Sequence, residues 1–478
     1  MATKRDLVEA HAFSRRRLVT AFVSGAPGGR EVEPTRPGRT IVGGIALSVL
    51  LIAAAAITGV FTDNAPTDWD EPGLILSKEK GAAYVIIDEG DDPEVRPVIN
   101  ITSAQLILGS DNLTPRIVSQ DVIDEQPLGD DIGILNAPAV LPDTSGLIGS
   151  GWTACTGTGF GLKADVSSTP LVQTSGDLAN PVGFTVVTQD AEGKKEYWVI
   201  AEAPATLDRP VQAFRYLLTQ EAGLADGLLD AVNLPTIGEA SEVPPEWVAL
   251  FPRGGDLDLT SFDLPDVGAS APGLDGAKVG QYLPDGAGGG YALSADGPVP
   301  LDPFAYAVYT HARFPDGRKP RPADLADVPD VQRAVGVYDA AAWPTQALSA
   351  VAGQQCALLE ATAGETPRAR LALDPTGDAS AEGLDAATER EASVERGHAA
   401  YVMSGDWSDV AGDSVWAVDA KGRANALVGP DTAAQLGWES VRPTLVPDSW
   451  IKLFGEGVAL SREAALCPPS RVTDPECS

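Results

Sequence analysis

Hydrophobic positions along this chain fall into one unbroken block and many short runs. The block, Ile41 to Phe61, is twenty-one residues long and holds no charge, amide side chain or proline. At about 1.5 Å per residue such a helix reaches about 30 Å, the thickness of a bilayer's hydrocarbon core. The block therefore predicts a single transmembrane helix. A buried soluble helix seldom stays apolar for more than about 14 residues. A cleaved signal has an apolar core of about 7 to 15 residues behind a short leader, whereas forty residues precede this block. Gly43, Gly44 and the run Ala53 to Ala56 would let neighbouring helices approach closely.

Beyond the block the short runs recur. Four places share a β-like apolar run, a turn with a proline or its equivalent, and a helix-like run, starting at Ala83, Tyr197, Tyr291 and Val415. Each predicts a strand coupled to a helix of about two turns, a small repeated module. A tighter echo is Trp247-x-x-Leu250-Phe251-x-x-Gly254-x-x-Leu257, which returns as Trp450-x-x-Leu453-Phe454-x-x-Gly457-x-x-Leu460. Each copy follows a module, and the pair predicts internal duplication, with the Trp and Leu bracing their module by core packing. Between the modules, Trp152 to Val172 and Val351 to Leu373 are strand-rich, with alternation in GFGLKADV and CALLEAT.

All four cysteines, Cys155, Cys356, Cys467 and Cys477, follow the apolar block. An even count in an oxidising compartment suggests two disulfides, for which three connectivities exist. If the duplicated halves pair, the two strand-rich stretches meet in one sheet and Cys155 to Cys356 becomes a long-range staple. The chain-entropy model gives such a loop about 4 to 5 kcal/mol. Cys467 and Cys477 would then clip the tail. Metal binding lacks any Cys-x-x-Cys or Cys/His pair.

Charge sets the orientation and removes some function classes. Residues 1–40 hold eight basic side chains against four acidic ones, whereas Asp63, Asp68, Asp70 and Glu71 follow the block. The positive-inside tendency places the short arm in the cytoplasm and the large C-terminal region outside. The chain carries −33 in total, so residues 62–478 carry about −37. Phosphate would be repelled by that field, which excludes a broadly nucleic-acid-binding ectodomain. Within the arm, Arg5 to Gly25 predicts a short basic amphipathic helix with Leu18 and Phe22 four apart, followed by a Pro/Gly-rich linker. It suits either anionic lipid head groups or a cytoplasmic partner.

Candidate chemistry is sparse. No Gly-rich loop ends in Gly-Lys-Ser/Thr, and Gly193-Lys194-Lys195 has the wrong following residue. No Gly-x-Ser-x-Gly elbow occurs. His311 and His398 stand outside the block without a surrounding motif and read as surface histidines. The acidic turn Asp88 to Asp92 lacks EF-hand spacing and reads as a solvated loop. These observations predict no catalytic residue, metal or cofactor.

The arm also carries a resemblance. Val8, Ala10, His11, Phe13, Arg16, Arg17, Leu18, Ala21 and Val23, ahead of a linker and one span, resemble the EccB family, single-span core components of type VII (ESX-type) secretion machinery in actinobacteria. LILSKEKGAAYVIID, RPVINITSAQLILG, Gly133 to Pro138 and Trp152 to Cys155 continue it, so that it covers essentially the whole chain. Cys467 with Cys477, and Ala12 and Ser14 in the arm, depart from the family pattern. The resemblance implies an α+β protein: a transmembrane helix, then a β-containing central domain among four small repeat domains in a pseudo-two-fold arrangement. It implies an inner-membrane location with a periplasmic C-terminal region. The partners it implies are an FtsK/SpoIIIE-like secretion ATPase, other type VII membrane subunits and self-association in a multimer. Phe13, Arg16, Arg17 and Leu18 become docking candidates. ATP hydrolysis has been suggested for the family, and the missing phosphate loop speaks against it here.

The expected organisation is a cytoplasmic arm (1–40), the span (41–61) and a first module (62–145). The first central segment (146–180), the second module (181–260), the third module (261–335) and the second central segment (336–390) follow, then the fourth module (391–462) and a tail (463–478). The expected function is a structural scaffold of the secretion complex rather than an enzyme. The alternatives are a membrane-anchored cell-wall-acting or nucleotide-hydrolysing enzyme, or a peptidoglycan-binding module.

Overall fold

The computed structural model describes residues 65–469, apart from 90–92, 175–180, 191, 220–221, 326–337, 351–353, 378, 386–388 and 409. The apolar block and the basic arm lie outside the described residues. Among those described, no helix is long and apolar enough to cross a membrane. From Pro66 onward the described residues belong to one compact α+β unit rich in short strands.

In chain order, β1 (Gly73–Ser77), β2 (Ala83–Ile86) and β3 (Val95–Pro97) form an antiparallel meander. Helix α1 (Ile101–Leu108) follows, β4 (Arg116–Val118) returns parallel to β1, and α2 (Gln120–Asp124) completes the unit. β5 (Trp152–Thr156) and β6 (Leu162–Val166) make a hairpin, followed by β7 (Gln173–Thr174). β8 (Val182–Gln189), β9 (Lys195–Ala203) and β10 (Gln212–Leu217) are a second meander. After α3 (Ala222–Ala231), β11 (Ser241–Glu242) returns parallel to β8 and leads into α4 (Pro245–Val248). β12 (Tyr282–Pro284), β13 (Gly290–Ser294) and β14 (Gly297–Leu301) precede α5 (Pro303–His311), after which Pro322 bridges parallel to Tyr282.

β15 (Ser349–Ala350) joins β8, while β16 (Gln355–Glu360) and β17 (Arg368–Leu373) make a hairpin, followed by β18 (Arg390–Val394). The last meander is β19 (Ala400–Gly405), β20 (Ala411–Val418) and β21 (Arg423–Leu427). Then come α6 (Thr432–Gln435), β22 (Thr444–Pro447) parallel to β19, α7 (Asp448–Ile451), β23 (Gly455–Leu460) and α8 (Arg462–Ala465). Meander, helix and parallel return thus occur in one order in four places.

In all four, the run singled out in the sequence is the second strand of the meander. β1, β8 and β19 are buried along nearly their whole length, so the alternation that marks a half-buried strand is missing from them. β12 has only three residues. A second expectation is corrected: the run after Pro210 is β10, not a helix. It pairs with β9 from Gln212 to Leu217 and buries Ala213, Phe214 and Tyr216.

The helices start on legible signals. Asn100 caps α1, accepting from Ser103 N at 2.8 Å, and Gly109 closes it at φ 79°, a conformation that costs glycine little. Asp302 caps α5, accepting from Ala305 N at 2.9 Å ahead of Pro303.

The sheets join through shared cores. One face of the β19–β23 sheet, with Ala400, Val402 and Val418, packs into the central core, and so does the β8 face with Val182, Phe184 and Val186. On its other side the β19–β23 sheet buries Tyr401 and Ala417 with Val85, Leu106 and Ile107 of the first unit. The second meander likewise buries Val199, Phe214 and Tyr216 with Val299, Leu301 and Phe304 of the third. Each outer core therefore joins two meander units, and the central core joins the pairs.

Candidate functional site

The place where the halves of the chain meet is the central six-stranded sheet, ordered β18-β6-β5-β16-β17-β7. Two hairpins distant in sequence lie side by side, with β5 antiparallel to β16 and Ala154 opposite Ala357. Period-two alternation divides their side chains. Trp152, Ala154, Leu162, Ala164, Ala357, Leu359, Ala369 and Leu371 enter the central core. The other face carries Cys155, Cys356 and Ala372, with Val172, Leu358 and Ala379 packed over them.

Cys155 and Cys356 are direct cross-strand partners with Cα atoms 4.1 Å apart, and they form a disulfide, as the paired-halves reading expects. Both are buried. Cys467 is disulfide-bonded as well; Cys477 lies outside the described residues. Beside the staple, Ser393 Oγ donates to Asp165 Oδ1 at 2.7 Å. Burial raises Asp165 above the usual carboxylate range against the pull of that hydrogen bond.

The two Trp motifs form the other seam. Trp247, Leu250, Phe251, Trp450, Leu453 and Phe454 are all buried in the same central core. Trp247 Nε1 donates to Ala154 O at 3.0 Å, and Trp450 Nε1 donates to Leu250 O of the first motif at 3.2 Å. Phe454 meets Trp152 edge to face at 5.2 Å. The core packing expected of both motifs is present, and it serves the joint between the halves.

An ion-pair cluster, not anticipated from the sequence, ties the second meander to the central sheet. Arg370 Nε donates to Glu202 Oε1 at 2.8 Å and Nη1 to Glu360 Oε1 at 2.9 Å, while Leu371 N donates to Glu202 Oε1 at 3.0 Å. Burial opposes the Arg370 charge, and the bonds to Glu202 and Glu360 outweigh it, leaving the guanidinium above its ordinary range. The signal was present in β16 and β17: Glu360 stands opposite Arg368, and Arg370 lies on the same face. Arg370→Ala leaves a carboxylate only 12% exposed without its cation, so a loss of about 2 kcal/mol is expected. Urea unfolding of the detergent-purified chain measures it, and Arg370→Lys is expected to recover some of the loss.

The remaining sequence candidates are not gathered into one site. Phe13, Arg16, Arg17 and Leu18 lie outside the described residues. His311 is half-buried, its Nδ1 2.9 Å from Ala307 O and its ring against Gly227 of α3, where a Cβ would come within 3.3 Å. It packs two helices together, which corrects its reading as a surface residue. His398 is also half-buried, with Nδ1 3.9 Å from Glu395 Oε1. Asp88 and Glu89 are described, and residues 90–92 of the acidic turn are not. Among the described residues no three His, Cys, Asp or Glu side chains are grouped to hold a metal.

Comparison with known proteins gives one consistent answer. Residues 1–472 match the family model described as "Type VII secretion system ESX-1, transport TM domain B". The chain is 26% identical to the "ESX-3 secretion system ATPase EccB3" of Mycolicibacterium smegmatis over 322 residues, 64% of this chain and 57% of that one. That match spans just over half of the relative. With the "ESX-2 secretion system ATPase EccB2" of Mycobacterium tuberculosis the identity is 26%, covering 97% of this chain and 94% of the relative. Among solved structures, "Structure of an intact ESX-5 inner membrane complex" contains a chain with a TM-score of 0.59 at 23% identity, covering 99% of this chain and 97% of that one. "Structure of EccB3 dimer from the ESX-3 core complex" gives a TM-score of 0.59 at 20% identity, covering 83% and 100%. These likenesses to solved structures show the shared fold. The family match across nearly the whole sequence shows that the chain belongs to the EccB family of type VII secretion systems.

Proposed function

We propose that this chain is a structural membrane component of a type VII secretion complex, anchored by the span Ile41 to Phe61 with its N-terminus in the cytoplasm and its strand-rich unit in the periplasm. The observation that carries this reading is the family match over residues 1–472, arm and apolar block included. Four repeat domains around the central sheet, related by an approximate two-fold between β5 and β16, are supported by the fourfold order of meander, helix and parallel return. The module boundaries set out from the sequence belong to the same proposal. The joint built from a disulfide, two Trp motifs and a buried ion-pair cluster suits a component that holds its shape and bears load.

The relatives are named ATPases. This sequence lacks the phosphate loop that would cradle a nucleotide. Scaffolding is the better-supported role. Its partners in this reading are an FtsK/SpoIIIE-like ATPase, other type VII membrane subunits and further copies of itself, with Phe13, Arg16, Arg17 and Leu18 as the cytoplasmic docking surface.

A tagged chain extracted in mild detergent is expected to co-purify with the other membrane subunits at high native mass. Arg16→Glu with Arg17→Glu is expected to release the ATPase while the disulfide-linked periplasmic unit stays folded. Recovery of the chain alone, with no effect of the double reversal, would sink the proposal.

A further inference from the structure

We propose that a cavity at Arg442 binds the C-terminal carboxylate of a peptide whose last side chain is apolar. The cavity, about 280 Å³, opens where the segment leading into β5, the turn after β16 and the strands β19 and β22 meet. Its polar side chains, Arg442, Tyr401, Thr444, Thr362 and Ser150, can each donate a hydrogen bond. None of its lining residues is Asp or Glu, in a chain that contains 67 of them. With no carboxylate in the lining, the Arg442 charge is locally uncompensated and suits an anion despite the negative charge of the chain as a whole.

Three observations give it the character of a built site. Among the described residues, no carboxylate lies within ion-pair distance of Arg442. Its guanidinium rests beside Gly364, where a Cβ would come within 3.2 Å of Nη1. Tyr401 is 7% and Thr444 4% exposed, yet neither hydroxyl has a hydrogen-bond partner among the described residues. Burial pushes the Tyr401 phenol up, so it stays a proton donor.

A hydroxyl that lines the cavity and has no protein partner is free to donate to an acceptor placed there. A carboxylate supplies acceptors only, and its two oxygens match the guanidinium fork. Ile148 and Ala361 are buried where they line the cavity, giving it an apolar floor for a side chain. Sites for drug-sized ligands run from about 300 to 1,000 Å³, so this volume suits one terminal residue. Binding here stands apart from the secretion role and does not depend on it.

The test uses the full chain in mild detergent and calorimetric titration with N-acetyl-Ala-Leu bearing a free C-terminus, its C-terminal amide, and inorganic phosphate. Saturable binding of the free acid is expected, with the amide at least about tenfold weaker because one charge-assisted contact is lost. Arg442→Gln, at an exposed position, should weaken the free acid by about tenfold, and Tyr401→Phe, which keeps the ring, by about threefold. Phosphate should not compete. Failure of the free acid to bind, equal binding of the amide, unchanged affinity in Arg442→Gln, or phosphate binding as tightly as the acid would each overturn the proposal.

Discussion

Truncating Trp450 to alanine is expected to lower the unfolding free energy by about 3 to 5 kcal/mol, the range for removing a large aromatic side chain from a packed core. Trp450 is fully buried among residues contributed by both halves of the chain, and its indole N–H reaches Leu250 O across 200 positions of sequence. The substitution opens a cavity and also leaves a buried carbonyl without its donor. Because the second motif rests on the first, Trp247→Ala and Trp450→Ala should not add: a coupling of about 0.5 to 3 kcal/mol is expected in the double variant. Urea midpoints followed by circular dichroism measure both. Leu207→Ala, at a fully exposed position, serves as the control and should shift stability by no more than about 0.5 kcal/mol.

Replacing Cys155 and Cys356 together by alanine is expected to cost about 4 to 5 kcal/mol, since the bond closes a loop of about 200 residues in the unfolded chain. Alanine suits the site because the neighbours, Ala372, Val172 and Leu358, are apolar. The loss should appear mainly as a less stable protein with an unchanged fold, read from the urea midpoint and from near-native circular dichroism. Both sulfurs belong to buried residues, so dithiothreitol should leave the native bond intact and cleave it only as urea opens the sheet. Rapid reduction of the native protein would show that the covering segment does not shield the staple.

Much of this architecture is legible in the sequence. The Cys155–Cys356 pair and the paired Trp motifs stand out because rare residues in a repeated context restrict where they can meet. The helices α1 and α5 stand out because Asn100 and Asp302 announce them. The first strands of the meanders do not, since a strand buried on both faces carries no period-two signal. β10 reads as a helix because Phe214, Leu217 and the following Leu218 also fit a helical spacing, and only pairing with β9 decides the matter. β18 pairs parallel with β6 in the central sheet although its residues run past position 390, where the sequence suggests a module boundary. The Arg442 cavity is invisible for a different reason: its donors come from four separate stretches, and nothing local marks them as neighbours.

The central sheet also carries a clock. β5 finds its partner only when β16 exists, and the stapled cysteines are 201 residues apart. At about 5 to 20 residues per second, synthesis leaves β5 waiting roughly 10 to 40 s. Throughout that interval an unpaired strand edge faces other chains as a template, and Cys155 is a thiol without Cys356. Chains emerging side by side are then each other's nearest alternative partner. Closure of the central sheet and its staple therefore waits on the moment when the two halves meet.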